Sequence, residues 1–373
     1  MWIHRTESIV YNTSNISSLL SKNMEGREAP LPNFLIELSN SSMRTIRGER
    51  FKPREVSIFD LKIGDEDDQD MQLMIDEKLL QKEPIKIEPI VDNASIVAVD
   101  VSNIKIGETN DGVLCALRAA TVWKSENSYL YLRCGPVVFH ITDCGNHLLS
   151  HLGLKESISP SMFSSVTMRI MNRLRNTLER WTQRLVCSSS KDSIILFDGS
   201  LTAGTPDNPA RRVQSVLELA RESGSVVLAF SKSTKLSIGG RRVTDLLDHM
   251  SAPCLLDIDR EIGEQFPSSP IKLLGRVYIA KLAVAGYTFR LDIDRQVPVE
   301  GAIETVSRLS GCDLVEQGYP ETLRLAHILS TFTANEVIGI QRFIAKNYGL
   351  KIAPQPNLRR SLFGPFGTGR EIT

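Results

Sequence analysis

Two aspartates close runs of apolar residues: Asp100 in SIVAVDVS, residues 95–102, and Asp198 in SIILFDGSL, residues 193–201. A carboxylate inside a buried strand is costly unless it is hydrogen-bonded, paired or bound to a metal. One such residue alone reads as the cap of the turn after its strand. Two of them on separate core strands put metal ligation level with capping. Hard carboxylate oxygens suit Mg²⁺ or Mn²⁺. With two ions about 3.5–4 Å apart, such a site activates water and stabilises the leaving oxygen of a phosphodiester. A third segment, GYPETLRLAH at 318–327, sets Tyr319 before Pro320, a residue that can open a helix. His327 then shares a helix face with Leu323. An isolated helical histidine is more often a hydrogen-bonded neighbour of the core than a ligand.

These residues need elements to hold them. Residues 95–102 are β-branched and continuous, as in a central buried strand. GVLCALRAATVW (112–123) and YLYLRCGPVVFHIT (129–142) follow short turns, so the three strands form an antiparallel meander. Gly135-Pro136 predicts a bulge or an edge in the third. A long helix is expected from about Pro160 to Val186, with Leu174, Leu178, Trp181 and Leu185 as its core face. The strand of Asp198 comes next, then a helix closed by Gly224, then the strand 225–232. The order β-β-β-α-β-α-β implies crossovers onto parallel strands. Further on, 241–250 reads as helix, 276–294 as a hairpin turning at Ala285-Gly286, and 298–311 and 320–348 as helical. Near the start, a helix is expected through 30–40, followed by a charged stretch that includes GDEDDQD at 64–70. That acidic run reads as a solvated loop, with a basic partner as the alternative.

In a ribonuclease H-like sheet the first meander strand lies beside the strand that follows the helix. Asp100 and Asp198 would then sit at one level, and such a site wants a third carboxylate from the helix between them. Glu179 is the candidate, 19 residues before Asp198. It lies off the Leu174/Leu178 stripe, and taken alone it reads as a solvated carboxylate beside Arg175 at i−4.

Together, the Val-Asp strand at 97–102, LFDGSL at 196–201 and the Gly-Tyr-Pro segment at 318–327 resemble the NurA family of nucleases, over roughly residues 95–330. The resemblance implies an α/β fold with a ribonuclease H-like core, a mixed central sheet flanked by helices, and a homodimer. It also implies a DNA nuclease that uses Mn²⁺, with Mg²⁺ as the alternative ion. Such enzymes resect 5′ ends and nick single strands in double-strand break repair, beside a HerA-type hexameric translocase. On the family pattern Asp100, Glu179, Asp198 and His327 hold metal. Tyr319 orients the water or a phosphate oxygen. The expected organisation is an accessory region at 1–94 for partner or dimer contacts, a nuclease domain at 95–335, and a helix and tail at 336–373.

DNA contacts are expected from Lys232, Arg211, Arg212 and Arg241, with Lys235 and Arg242 beside them, where an open α/β sheet presents its ligand crevice. Each is otherwise an ordinary surface charge. Lys232 ends a strand, as Asp198 does, and could meet the scissile phosphate. Lys+Arg and Asp+Glu both number 44, which excludes a blanket polycation but not a local basic groove. No apolar run reaches the length of a membrane span, and the first residues lack a secretory stretch, so a cytoplasmic location is expected. Six cysteines without a C-x-x-C pair argue against a zinc knuckle. Cys144, His147 and His151 have metal-like spacing, but Gly145 and Gly153 interrupt it. Two rival readings stand: an inactive family subunit that regulates the translocase, and an ATP-binding phosphotransferase. The second wants a Gly-rich phosphate loop, and residues 100–110 offer only Gly107.

Overall fold

The computed structural model describes residues 32–55, 73–75, 82–126, 128–142, 163–205, 208–232, 234, 236–238, 241–263 and 271–353. The acidic run at 64–70, the Cys144/His147/His151 group and the tail beyond 353 lie outside the described residues.

The described chain opens with helix α1 (Asn33–Met43) and two short strands, β1 (Arg50–Pro53) and β2 (Ile85–Lys86). The meander follows as β3 (Ser95–Thr109), β4 (Gly112–Ser125) and β5 (Ser128–Thr142). Next come helix α2 (Phe163–Ser189), β6 (Ser193–Asp198), α3 (Ala210–Glu222) and β7 (Val226–Ser231). Strand β8 (Cys254–Asp257) precedes a hairpin of β9 (Gly275–Lys281) and β10 (Phe289–Asp294). The last elements are α4 (Val299–Cys312), α5 (Glu321–Ser330), α6 (Ala334–Tyr348) and β11 (Lys351–Ile352).

One sheet of 11 strands carries the fold, in the order β11-β1-β3-β6-β7-β10-β9-β8-β2, with β4 and β5 extending it from β3. Strand β3 runs parallel to β6, and β6 to β7; the meander and the β7-β10-β9-β8 half are antiparallel. The expected α/β class with a mixed sheet flanked by helices is what forms. Asp100 and Asp198 do lie on adjacent strands, since Val99 pairs with Phe197. The β4–β5 register slips between Leu117 and Ala119, opposite Gly135-Pro136, where a bulge was expected. From the 1–94 segment, β1 pairs with the end of β3 and β2 with β8, so both join this sheet.

Strand alternation sorts the core into two layers. On one face Ile96, Ala98, Leu196, Phe230 and Leu291 pack under α4 and α5 through Val306, Leu309, Leu323 and Ala326. On the other, Val97, Val99, Phe197 and Ala229 meet Val213 and Leu217 of α3, while Val101 and Leu117 meet Leu174 and Leu178 of α2. Each fully buried leucine contributes about 2 kcal/mol of transfer free energy.

Two expected helices differ. Residues 320–348 form two helices, because Thr333 and Glu336 make a reciprocal cap that starts α6 afresh. Residues 241–250 form a two-residue strand and a 3₁₀ turn, Val243–Leu247. The buried Lys281 ammonium explains the stop: it donates to the carbonyls of Leu247, Asp248 and Met250 at 3.0, 2.7 and 3.1 Å, satisfying them without further helix. Among the described residues, no helix is long and apolar enough to cross a membrane.

Candidate active site

Strand β6 stops at Asp198, while β3 runs on past Asp100 to Thr109. The two aspartates are therefore the step after the last β3–β6 pair. By alternation the Asp100 side chain points to the α4/α5 face, and α5 crosses there. Its Leu323 and Ala326 are locked in the core. Its start is fixed by the buried Asp313, whose carboxylate accepts Thr322 N–H at 3.1 Å and the Tyr129 hydroxyl at 2.8 Å. Its end is fixed by Arg118, which donates to Thr331 O at 3.0 Å, stacks over Phe332 and pairs with Glu336.

Held this way, α5 brings His327 between the aspartates. Its Nδ1 lies 3.1 Å from Asp100 Oδ2 and 3.5 Å from Asp198 Oδ2. One ligand atom from each of the three residues falls within 4.8 Å of the other two. Ser330, one turn on and fully buried, donates to Asp100 Oδ2 and lies 2.8 Å from Ser102 Oγ. The Tyr319 hydroxyl donates to Asp198 Oδ1 at 3.3 Å. The exposed Lys232 sets its Nζ 2.6 Å from Asp198 Oδ2 and 5.9 Å from the centre of the Tyr319 ring.

The electrostatics follow from these contacts. Burial pushes the Asp100 carboxyl up, but the hydrogen bond and charge of His327, with the Ser330 bond, outweigh it and bring it to about 2. Burial pulls His327 down, but its bonds to Asp100 and Asp198 carry it to about 9. The histidine is an imidazolium between two carboxylates. Two hard oxygens and one imidazole nitrogen suit a divalent ion, which would take the place of the Nδ1 proton.

Of the expected site residues, the fold gathers Asp100, Asp198, Tyr319 and His327, with Lys232 beside them. Glu179 stands outside the group of three. It projects from α2, which covers the opposite face of β3, and its Oε1 accepts from Gln183 Nε2 at 3.0 Å. Arg175, one turn earlier, donates to Val101 O at 3.0 Å, so this stretch of α2 runs close behind Asp100. Arg211 and Arg212 are exposed at the start of α3, and Arg242 is exposed and paired with Asp245. The side chain of Arg241, and Lys235 as a whole, lie outside the described residues. Ser330 went unread; its one signal is its place three residues after His327 on the same face.

The family model of the NurA domain matches residues 94–330. The chain belongs to the NurA family. Membership makes it a nuclease, a hydrolase acting on DNA. No curated protein matches it. Among solved structures, the NurA nuclease from Sulfolobus solfataricus is 16% identical, covers 77% of this chain and 92% of its own, and gives a TM-score of 0.47. A NurA with manganese is 12% identical over 69% of this chain and 90% of its own, at a TM-score of 0.36. A Ciona intestinalis endonuclease V in complex with inosine-containing DNA is 14% identical over 70% of this chain and 95% of its own, at 0.35. The NurA match spans every element that carries Asp100, Asp198, Tyr319 and His327.

Proposed function

We propose that this NurA-family protein hydrolyses DNA phosphodiesters at a divalent-metal centre held by Asp100, Asp198 and His327. The observation that carries this reading is the convergence of three ligating atoms, from three distant segments, at the open end of β6. Mn²⁺ is the ion of choice, with Mg²⁺ as the alternative. When bound, it would polarise the phosphate and lower the pKa of an attacking water. The Asp100 and Asp198 oxygens and His327 Nδ1 would hold it. Glu179 would complete the set by leaving Gln183 and reaching round the edge of β3. Tyr319 holds Asp198 and can turn its hydroxyl to a phosphate oxygen. Lys232, already at the site and exposed, would exchange Asp198 for a non-bridging oxygen of the scissile phosphate. Arg211, Arg212 and Arg241 extend the phosphate contacts along the strand.

The family further supports action as a homodimer beside a HerA-type hexameric translocase in end resection and double-strand break repair. There the enzyme would nick single strands and degrade 5′ ends of single- and double-stranded DNA. The test is cleavage of end-labelled DNA with Mn²⁺, Mg²⁺ or EDTA, beside Asp198→Ala. Cleavage should need the metal and vanish in the variant while the variant stays folded. Undiminished cleavage by Asp198→Ala would refute the site.

A further inference from the structure

Strand β10 is buried from end to end, yet every second residue on it is charged: Arg290, Asp292 and Asp294, exposed by 2, 1 and 2%. Phe289, Leu291 and Ile293 fill the core beneath α4 and α5, so the charged row lies on the α3 face. Taking ions out of water costs several kcal/mol each, and apolar residues of similar volume usually serve packing as well or better. Asp294 is met by Arg221 of α3. Arg290 and Asp292 pair with each other, Nε to Oδ1 at 2.7 Å and Nη2 to Oδ2 at 2.8 Å.

Both also reach the turn that leaves β6 after Asp198. Leu201 N–H donates to Asp292 Oδ2 at 2.9 Å, and Arg290 Nη2 donates to Thr202 Oγ1 at 3.0 Å. Gly275 on β9 makes room for this contact. A Cβ there would lie 2.8 Å from Asp292 Cβ and 3.1 Å from Leu201 Cβ. One residue after Asp198, Gly199 N–H donates to Phe230 O at 2.8 Å. The turn is thus gripped at Gly199 by the sheet and at Leu201 and Thr202 by one buried ion pair, while Leu274 N–H, Asn208 Nδ2 and the short pairing of Thr202 with Leu273 hold its backbone carbonyls.

We infer that the Arg290–Asp292 pair positions Asp198, by fixing the 199–202 turn so that the carboxylate stays aimed at Asp100 and His327. The inference rests on Asp198 being a metal-site residue. It accounts for an ion pair in a place where packing asks for none. Sites of this kind need their groups held within about 0.5 Å, and loss of such supporting contacts commonly weakens metal affinity or activity about 10- to 100-fold.

Two variants test it. Thr202→Val keeps the pair and the Asp292 bond to Leu201 N–H, and deletes only the Arg290 bond to the turn. The double variant Arg290→Met/Asp292→Leu replaces both ions with apolar side chains. Each is compared with wild type and Asp198→Ala by thermal melting, by calorimetric titration of the DNA-free protein with Mn²⁺, and by steady-state cleavage. The expected result is little change in melting for Thr202→Val and a lower melting temperature for the double variant, whose buried Leu201 N–H loses its acceptor, with Mn²⁺ affinity and kcat about tenfold lower in both and KM for DNA unchanged. A pair that serves only the fold would shift melting and leave Mn²⁺ affinity and kcat at wild-type values, which overturns the inference. Should the double variant not fold, Thr202→Val decides alone, because it removes a single hydroxyl from a partly exposed residue. Normal Mn²⁺ binding and cleavage by Asp198→Ala would instead overturn the metal-site reading, and this inference with it.

Discussion

His327 holds its proton because two carboxylates face it. Burial alone would lower its pKa, and the bonds to Asp100 and Asp198 raise it to about 9. Asp100 is the other side of one shared contact and falls to about 2 against the pull of burial. The signs fix a window. The raised histidine stabilises the fold fully below about pH 6.5 and loses that contribution as pH rises through its folded value. The lowered aspartate stabilises it above about pH 4 and loses that contribution as pH falls towards its own folded value. A metal needs the neutral imidazole, so Mn²⁺ uptake near neutrality must expel a proton. Apparent Mn²⁺ affinity should climb roughly tenfold per pH unit from pH 7 towards the folded pKa of His327. Calorimetry in buffers of different ionisation enthalpy should count about one proton released. Affinity that stays flat over that range would mean that His327 is not a ligand. Most of this site is legible in the sequence. Asp100 and Asp198 each close an apolar run with a carboxylate, while Tyr319 and His327 gain their roles only through the Gly-Tyr-Pro segment of the family pattern. Ser330 carries no such mark, since a serine three residues along a helix is ordinary until its partner is known. Glu179 depends on which face α2 covers, and local spacing does not encode that.

Helix α5 works as a bracket pinned at both ends to the meander. Arg118 is the pin beside Ser330: its guanidinium is buried, its charge is balanced by Glu336, and it closes the helix at Thr331 O. Arg118→Ala should cost about 2–3 kcal/mol in urea unfolding, as expected for charge-assisted bonds lost inside a protein. The folded fraction should also cleave DNA more slowly, because His327 loses its backing. A loss below about 0.5 kcal/mol would place that pin elsewhere. The long elements of this fold are readable, since from β3 to β7 apolar β-branched runs bounded by turns give way to a 3.6-residue period in the helices between them. The short ones are not. Strands β1 and β2 have 4 and 2 residues, and only their partners at the ends of β3 and β8 make them strands. FRLDID in β10 has the alternation of a strand with one wet face, yet both faces are buried. What turns its charges inward is the turn at 199–202, some 90 residues earlier, and pairing across that distance leaves no local trace.

Across the whole molecule, positive and negative charges cancel, so DNA must be attracted by local arrangement instead of total charge. Binding should still weaken with salt, because each phosphate neutralised by a cation releases counterions. With a catalytically silenced chain such as Asp198→Ala, the slope of log K against log salt counts those contacts. Adding Lys232→Ala should reduce that slope by about one, equally on all sequences. An unchanged slope would leave Lys232 as a partner of Asp198 alone.

Strand β3 outlasts its neighbour. Its pairing with β6 ends at Val99, and its pairing with β1 begins only at Gly107. Among the described residues, no strand lies along that flank in between. Arg175 takes the carbonyl of Val101, and Arg54 N–H and the Gln341 side chain take that of Ile106. On this flank the hydrogen-bond ladder thus has a seam that begins at Asp100, while the other flank stays paired with β4. In native-state amide exchange, opening free energies should drop at this seam, with protons just beyond Val99 leaving sooner than those of Ile96–Val99. On that flank of β3, the break in the ladder falls at the aspartate.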